Sequence, residues 1–111
     1  MSLIKNSPNW VSDEHKMFAE STRKLFDAEM APNVDKLASQ GIVDREFWKV
    51  VGEQGVMGGS IAEEYGGFGG GIGFDAITVY EQGRTGDTGW GYGIQSIVIH
   101  YLNTYGSEEQ K

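Results

Sequence analysis

The stretch "GIQSIVIHYLNTYG", Gly93 to Gly106, decides the fold. Ile94, Ile97, Val98, Tyr101, Leu102 and Tyr105 recur at i, i+3, i+4, i+7, i+8 and i+11, the spacing of one helix face. Gly106 then supplies the stop. Working backwards, a helix over about Phe74 to Thr85 is expected, with Phe74, Ile77 and Tyr80 turned inward and Gly86 ending it. Before it, Asp44 can cap a helix over Arg45 to Gln54, with Phe47, Val50 and Val51 inward and Gly55 at the C′ position. Ser12 followed by Asp13 and Glu14 reads as an N-cap with an acidic first turn. Phe18, Leu25, Phe26 and Met30 follow at helical spacing. Pro32 must kink or end that helix, Asn33 to Gln40 resumes it, and Gly41 closes it. Downstream, Ser107-Glu108-Glu109-Gln110 has the form of a capping box, yet only Lys111 follows. The expected fold is therefore all-α: an orthogonal or up-down bundle of four helices plus the start of a fifth. No convincing strand is visible.

At 111 residues the chain is one domain's worth. Residues 1–11 read as a loosely held leader whose opening Met-Ser-Leu has the look of an expression-vector remnant. Residues 12–111 form the domain. A net charge of −7 argues against nucleic acid and anionic membrane surfaces, both of which need a basic footprint. No apolar run approaches the ~18 residues of a membrane span, and no targeting peptide is recognisable. The absence of cysteine removes disulfides and thiolate chemistry and fits a cytoplasmic location. Glycine is the anomaly: of 17, fifteen lie between Gly52 and Gly93. Gly55 to Gly73 is too glycine-rich for a helix and reads as an ordered loop.

That loop invites a phosphate-binding reading, which fails. In every register of G-x-G-x-x-G the last position falls on Ile72, Phe74 or Ala76, and no Gly-Lys-Ser/Thr exists. A tight connection between packed helices fits better. Gly58-Gly59-Ser60-Ile61-Ala62 nearly matches the G-x-S-x-G elbow, but its fifth position is Ala and no strand feeds it. A hydrolase built on Ser60 would need His15 or His100, the only two histidines, beside it in space. Those histidines share no metal-ligand spacing, so no metal is expected. Glu63 and Glu64 are adjacent and would diverge as solvated carboxylates. The residues show a fold and no catalytic constellation.

Three stretches, in order, carry a resemblance. "GVMGGSIAEEYGGFGG" (Gly55–Gly70), "DREFWKVVGEQG" (Asp44–Gly55) and "YGSEEQK" (Tyr105–Lys111) are similar to segments of acyl-CoA dehydrogenases. The likeness runs from about Ser12 to Lys111. Many members of that family carry Pro where this chain has Ala62, and Ile-Ala-Glu is similar to the long-chain branch. The resemblance implies an N-terminal helical domain cut just after its fifth helix is capped. It also implies an enzyme that holds FAD in later domains and oxidises acyl-CoA to a trans-2-enoyl thioester. In such an enzyme a C-terminal glutamate removes the α-proton, and the β-hydrogen leaves as hydride to the flavin. Electron-transfer flavoprotein would be the acceptor and a homo-oligomer of tetramer type the assembly. No catalytic or flavin-binding residue can be matched in this chain.

What the resemblance leaves to this domain is packing against the rest of the enzyme and lining part of the acyl-chain cavity. On the fourth helix, Gly89, Gly93, Ser96 and His100 form a small-residue stripe about 130° from the apolar arc at ~100° per residue. With Ile97, these are the candidate acyl-chain contacts; close helix–helix packing accounts for the same stripe. A free-standing helical interaction module without catalysis is the alternative of a different class.

Overall fold

The computed structural model describes residues 8–111. Among them there are only helices, turns and loops. Residues 1–7 of the expected leader lie outside the described span. Five α-helices follow in order: α1 (Asp13–Glu29), α2 (Val34–Gln40), α3 (Arg45–Glu53), α4 (Gly73–Thr85) and α5 (Tyr92–Tyr105). The helix expected to bend at Pro32 is broken there, and a 3-10 turn over Ala31–Asn33 separates α1 from α2. The cause is the missing proline N–H and the ring's clash with the preceding turn.

Helix ends follow local chemistry. The Ser12 side chain accepts from the His15 backbone N–H, and the His15 ring accepts the Ser12 N–H in return. Imidazole thus does the work usually given to glutamate in a capping box. Gly41 and Gly86 close α2 and α4 in the left-handed conformation, at φ 71° and 85°. Asp44 stands at the N-cap of α3, but its side chain makes no cap bond. Its carboxylate is instead taken by Gln40 at 2.9 Å and Lys36 at 3.3 Å. The expected cap is corrected to a tie between α2 and α3.

The main core gathers Phe26 and Met30 of α1, Val43, Phe47 and Val51 around α3, Val56, and Trp90 and Tyr92 at the start of α5. Trp90 is its hub, with Phe26 and Phe47 edge-on at 5.5 and 5.4 Å. Such contacts add to area burial because ring edge and face carry opposite charge. α1 and α4 pack along their length. Buried Glu81 of α4 receives Arg23 of α1 at 2.9 Å and its own helix neighbour Arg84 at 3.2 Å. Arg84 also reaches Asp27 of α1 at 2.5 Å, and that hydrogen bond, ahead of the Glu81 contact, pushes the Arg84 pKa up.

Two sequence expectations change. Tyr80, like Val50 of α3, is only half-buried, while Asp75, Thr78 and Glu81 join Phe74 and Ile77 on the buried side of α4. The apolar arc of α5 faces outward: Ile94, Ile97, Val98, Tyr101, Leu102 and Tyr105 are all exposed. The buried or half-buried residues of that helix are Tyr92, Gln95, Ser96, Ile99, His100 and Asn103.

Candidate functional site

The loop between α3 and α4 folds back on itself. Gly69 N–H donates to the Ile61 carbonyl at 2.7 Å, Gly67 N–H to Ala62 at 3.2 Å and Gly70 N–H to Gly59 at 3.3 Å. A single 3-10 turn, Glu63–Tyr65, stands at its tip, and both glutamates are exposed, as expected. The glycines are consumed internally. A Cβ on Gly67 would strike the Ile61 carbonyl oxygen, and one on Gly70 the Phe74 ring. The N–H groups of Gly66, Gly67, Gly69 and Gly70 are therefore turned to the loop's own carbonyls and not outward as a phosphate cradle needs.

Beside the loop lies a polar cluster built from three elements. Asp75, in the first turn of α4, is buried. Its Oδ1 accepts from the Tyr92 hydroxyl at 2.5 Å. Its Oδ2 accepts from the Ser60 hydroxyl at 2.8 Å and lies 2.8 Å from His100 Nε2. Ser60 Oγ and His100 Nε2 are themselves 2.8 Å apart. Burial, reinforced by the Asp75 hydrogen bond, pushes the Tyr92 phenol well above its ordinary pKa.

The spatial condition set for a Ser60 hydrolase is thus met by His100 and not by His15. The wiring is nonetheless wrong for a nucleophile. In a serine triad the carboxylate holds one ring nitrogen and the serine meets the other. Here Asp75 and Ser60 meet the same nitrogen, and the serine proton is directed at the carboxylate. The ring therefore cannot relay a proton from Ser60 at one nitrogen to Asp75 at the other. The cluster is a fastening between the loop, α4 and α5.

His15 sits elsewhere, between the rings of Trp10 at 5.3 Å and Phe74 at 4.9 Å. Its Nδ1 serves the α1 cap, and its buried Nε2 makes no hydrogen bond. No group of three or more His, Cys, Asp or Glu side chains among the described residues could hold a metal.

The candidate acyl-chain residues divide. Gly89 precedes α5 and lies in the connector after Gly86, so it is not part of the helical stripe. Gly93 is exposed, and a Cβ there would meet nothing within 4 Å. Ile97 is exposed too, whereas Ser96 and His100 are half-buried. Sequence reasoning missed Asp75 and Tyr92 altogether. The only hint was an acidic residue in the first turn of a helix, which is too common to single out.

The residues from 12 to 111 match the family profile described as acyl-CoA dehydrogenase, N-terminal domain. The chain is 44% identical over 100 residues to the mitochondrial long-chain specific acyl-CoA dehydrogenase of Sus scrofa, covering 89% of this chain and 23% of that protein. It is 34% identical over 103 residues to a probable acyl-CoA dehydrogenase of Bacillus subtilis, covering 91% of this chain and 27% of the relative. To the mitochondrial isovaleryl-CoA dehydrogenase of Solanum tuberosum it is 32% identical over 103 residues, 89% of this chain and 25% of that one. The chain therefore spans about a quarter of the length of these relatives.

Proposed function

This chain belongs to the acyl-CoA dehydrogenase family, matching its N-terminal domain, and on that premise we propose that it is the N-terminal helical part of a flavin-dependent enzyme that dehydrogenates acyl-CoA thioesters at the α,β positions. The observation that carries the reading is the outward apolar face of α5, with Ile94, Ile97, Val98, Tyr101, Leu102 and Tyr105 exposed along one side. A helix of a self-sufficient domain turns that face inward. Apolar patches of this kind mark surfaces that another part of a protein covers. Here the cover is the remainder of the enzyme, which in the relatives is about three times the length of the matched segment.

On this reading the domain supplies a packing face and part of the acyl-chain cavity. Gly93 and Ile97 stand open on α5, with Ser96 and His100 beside them and Gly89 in the connector before the helix. No FAD contact is proposed for this chain, so no step of the chemistry is assigned to it. Transfer of electrons to electron-transfer flavoprotein and a homo-oligomer of tetramer type belong to the same proposal. So does a cytoplasmic location, against the mitochondrial setting of the long-chain relative. No helix among the described residues is long and apolar enough to cross a membrane.

The test is to express the complete native reading frame and assay acyl-CoA oxidation with an artificial electron acceptor while recording the flavin spectrum. A yellow protein that forms 2-enoyl-CoA is expected, and the 111-residue chain alone is expected to be colourless. A native reading frame that ends at Lys111 would favour an interaction module and overturn the enzyme reading. So would a complete protein that binds no flavin.

A further inference from the structure

We infer that Asp75 is a positioning residue whose carboxylate fixes the roll of α5 about its own axis, and so selects the face that the helix presents outward. The starting point is a contradiction within α5. Its arc of six apolar side chains is exposed, while the buried or half-buried side holds Gln95, Ser96, His100 and Asn103 beside only Tyr92 and Ile99. The hydrophobic effect acting alone would turn the helix over and place the arc against α4. Within this chain, the packing of Tyr92 on Trp90 at 5.2 Å and a specific polar attachment oppose that roll.

The polar cluster has the geometry for it. Tyr92 and His100 are eight residues apart on α5, about 12 Å along its axis, and both converge on the Asp75 carboxylate, at 2.5 and 2.8 Å. A single attachment leaves a helix free to swivel about it. Two attachments more than two turns apart along the axis, and roughly 80° apart around it at ~100° per residue, hold both its direction and its roll. Ser60 donates to the same carboxylate at 2.8 Å, which ties the line to the loop as well as to α4. Asp75 is buried, so rolling α5 away would strip its carboxylate of the Tyr92 hydroxyl and of the His100 ring. Buried polar groups are best attested in this role of selecting one register among several packings of similar energy. The consequence for the acyl-chain cavity, that the roll decides whether Gly93 and Ile97 face the substrate, rests on the function proposed above. The roll itself does not.

The chain has no cysteine, so labels can be placed singly. Nitroxides at Val98→Cys on the exposed side of α5 and Glu20→Cys on the exposed side of α1 report the roll as an electron–electron distance. The sample is diluted with unlabelled chain to suppress distances between molecules. With side-chain tips roughly 5–6 Å from the axis, a roll of ~100° displaces the α5 label by about 8 Å. The labelled chain and its Asp75→Asn variant, which keeps an acceptor for Tyr92 and offers an N–H to His100, should give the same narrow distance. Asp75→Leu should move it by several ångström, with that displacement as the upper bound and helical ellipticity kept. An unmoved distance in folded Asp75→Leu overturns the proposal. Should Asp75→Leu fail to fold, Tyr92→Phe combined with His100→Leu decides: a displaced distance supports the roll clamp, and an unmoved one overturns it. None of these readings depends on enzymatic activity, so failure here leaves the proposed reaction standing, and the converse holds.

Discussion

Gly67 has no room for a methyl group, and Gly93 has room for much more. At Gly67 an added Cβ would press on the Ile61 carbonyl and stand 2.5 Å from the Gly58 carbonyl. Both are backbone atoms fixed by the loop's own hydrogen bonds, so neither can step aside. Gly67→Ala should therefore destabilise the chain toward the upper end of the roughly 1–3 kcal/mol that overpacking costs. Gly93 is the second residue of α5, and nothing lies within 4 Å of an added Cβ. Gly93→Ala should instead stabilise by up to about 1 kcal/mol through helix propensity. Urea unfolding midpoints of the two variants should move in opposite directions. On the function proposed above, Gly93 carries a second expectation in the complete protein. If the acyl chain runs along this side of α5, Gly93→Leu fills the far end of its cavity. Each buried methylene is worth about 0.8 kcal/mol, so losing room for three or four should cut kcat/KM for long substrates roughly 10²-fold. Short substrates should keep their rate. A uniform loss at every chain length would point to damaged packing and sink the cavity role.

Among the elements, the helices were legible in the sequence and their partners were not. Periodicity places an apolar stripe on α5 because 3.6 residues per turn align positions i, i+3, i+4 and i+7. It carries no information about what covers that stripe, and in α5 the stripe faces outward. On α4 the buried side holds Asp75 and Glu81, whose partners His100 and Arg23 lie 25 and 58 residues away. Nothing local marks a carboxylate that will find such a partner. The chain terminus was read more fully. Ser107 and Gln110 make the reciprocal cap bonds that their spacing announces, at 2.9 and 3.3 Å. The resulting turn brings Glu108 Oε2 to 2.5 Å from the Tyr65 hydroxyl, with the Lys111 ammonium 5.6 Å from the Tyr65 ring centre. That hydrogen bond, ahead of the remaining burial, pushes the Tyr65 phenol up to about 12 and holds Glu108 below the usual carboxylate value. The signs follow from linkage. Tyr65 favours the folded turn below pH ~10, its unfolded pKa, and this contribution is lost as pH rises through about 12. Glu108 contributes above its unfolded value of 4.5, and its contribution is lost as pH falls through the lower folded one. A phenolate absorbance titration, differenced against Tyr65→Phe, should show one tyrosine titrating near 12. A difference curve centred at 10 would show that the turn does not dock on Tyr65 in solution.

At the scale of the molecule, the exposed side of α5 sets how the chain behaves by itself. Ile94, Ile97 and Tyr105 are 73%, 70% and 75% exposed, and Val98, Tyr101 and Leu102 extend the same strip. Fully burying such side chains is worth about 1.5–3 kcal/mol each, but two helix strips meeting cover each of the pair's twelve only in part, so the pair gains on the order of 10 kcal/mol before costs. Association costs an estimated 4–15 kcal/mol in lost freedom, which leaves a margin suited to weak pairing and not to a permanent dimer. The net charge of −7 opposes two copies meeting. Salt should therefore tighten the association twice over, by screening the repulsion and, with excluded anions such as sulfate, by strengthening apolar burial. Sedimentation equilibrium of the 111-residue chain should show a monomer–oligomer mixture that shifts toward oligomer with concentration and with sulfate. Val98→Lys should move it back toward monomer while leaving helical ellipticity unchanged, because Val98 is exposed in the chain alone and its substitution costs the fold little. A clean monomer at high concentration in sulfate would mean that the strip is not adhesive. Adhesion of the strip to a second copy would support the packing role proposed for α5, because a side that sheds water against its own copy, despite like charge, gains more against a surface shaped to it.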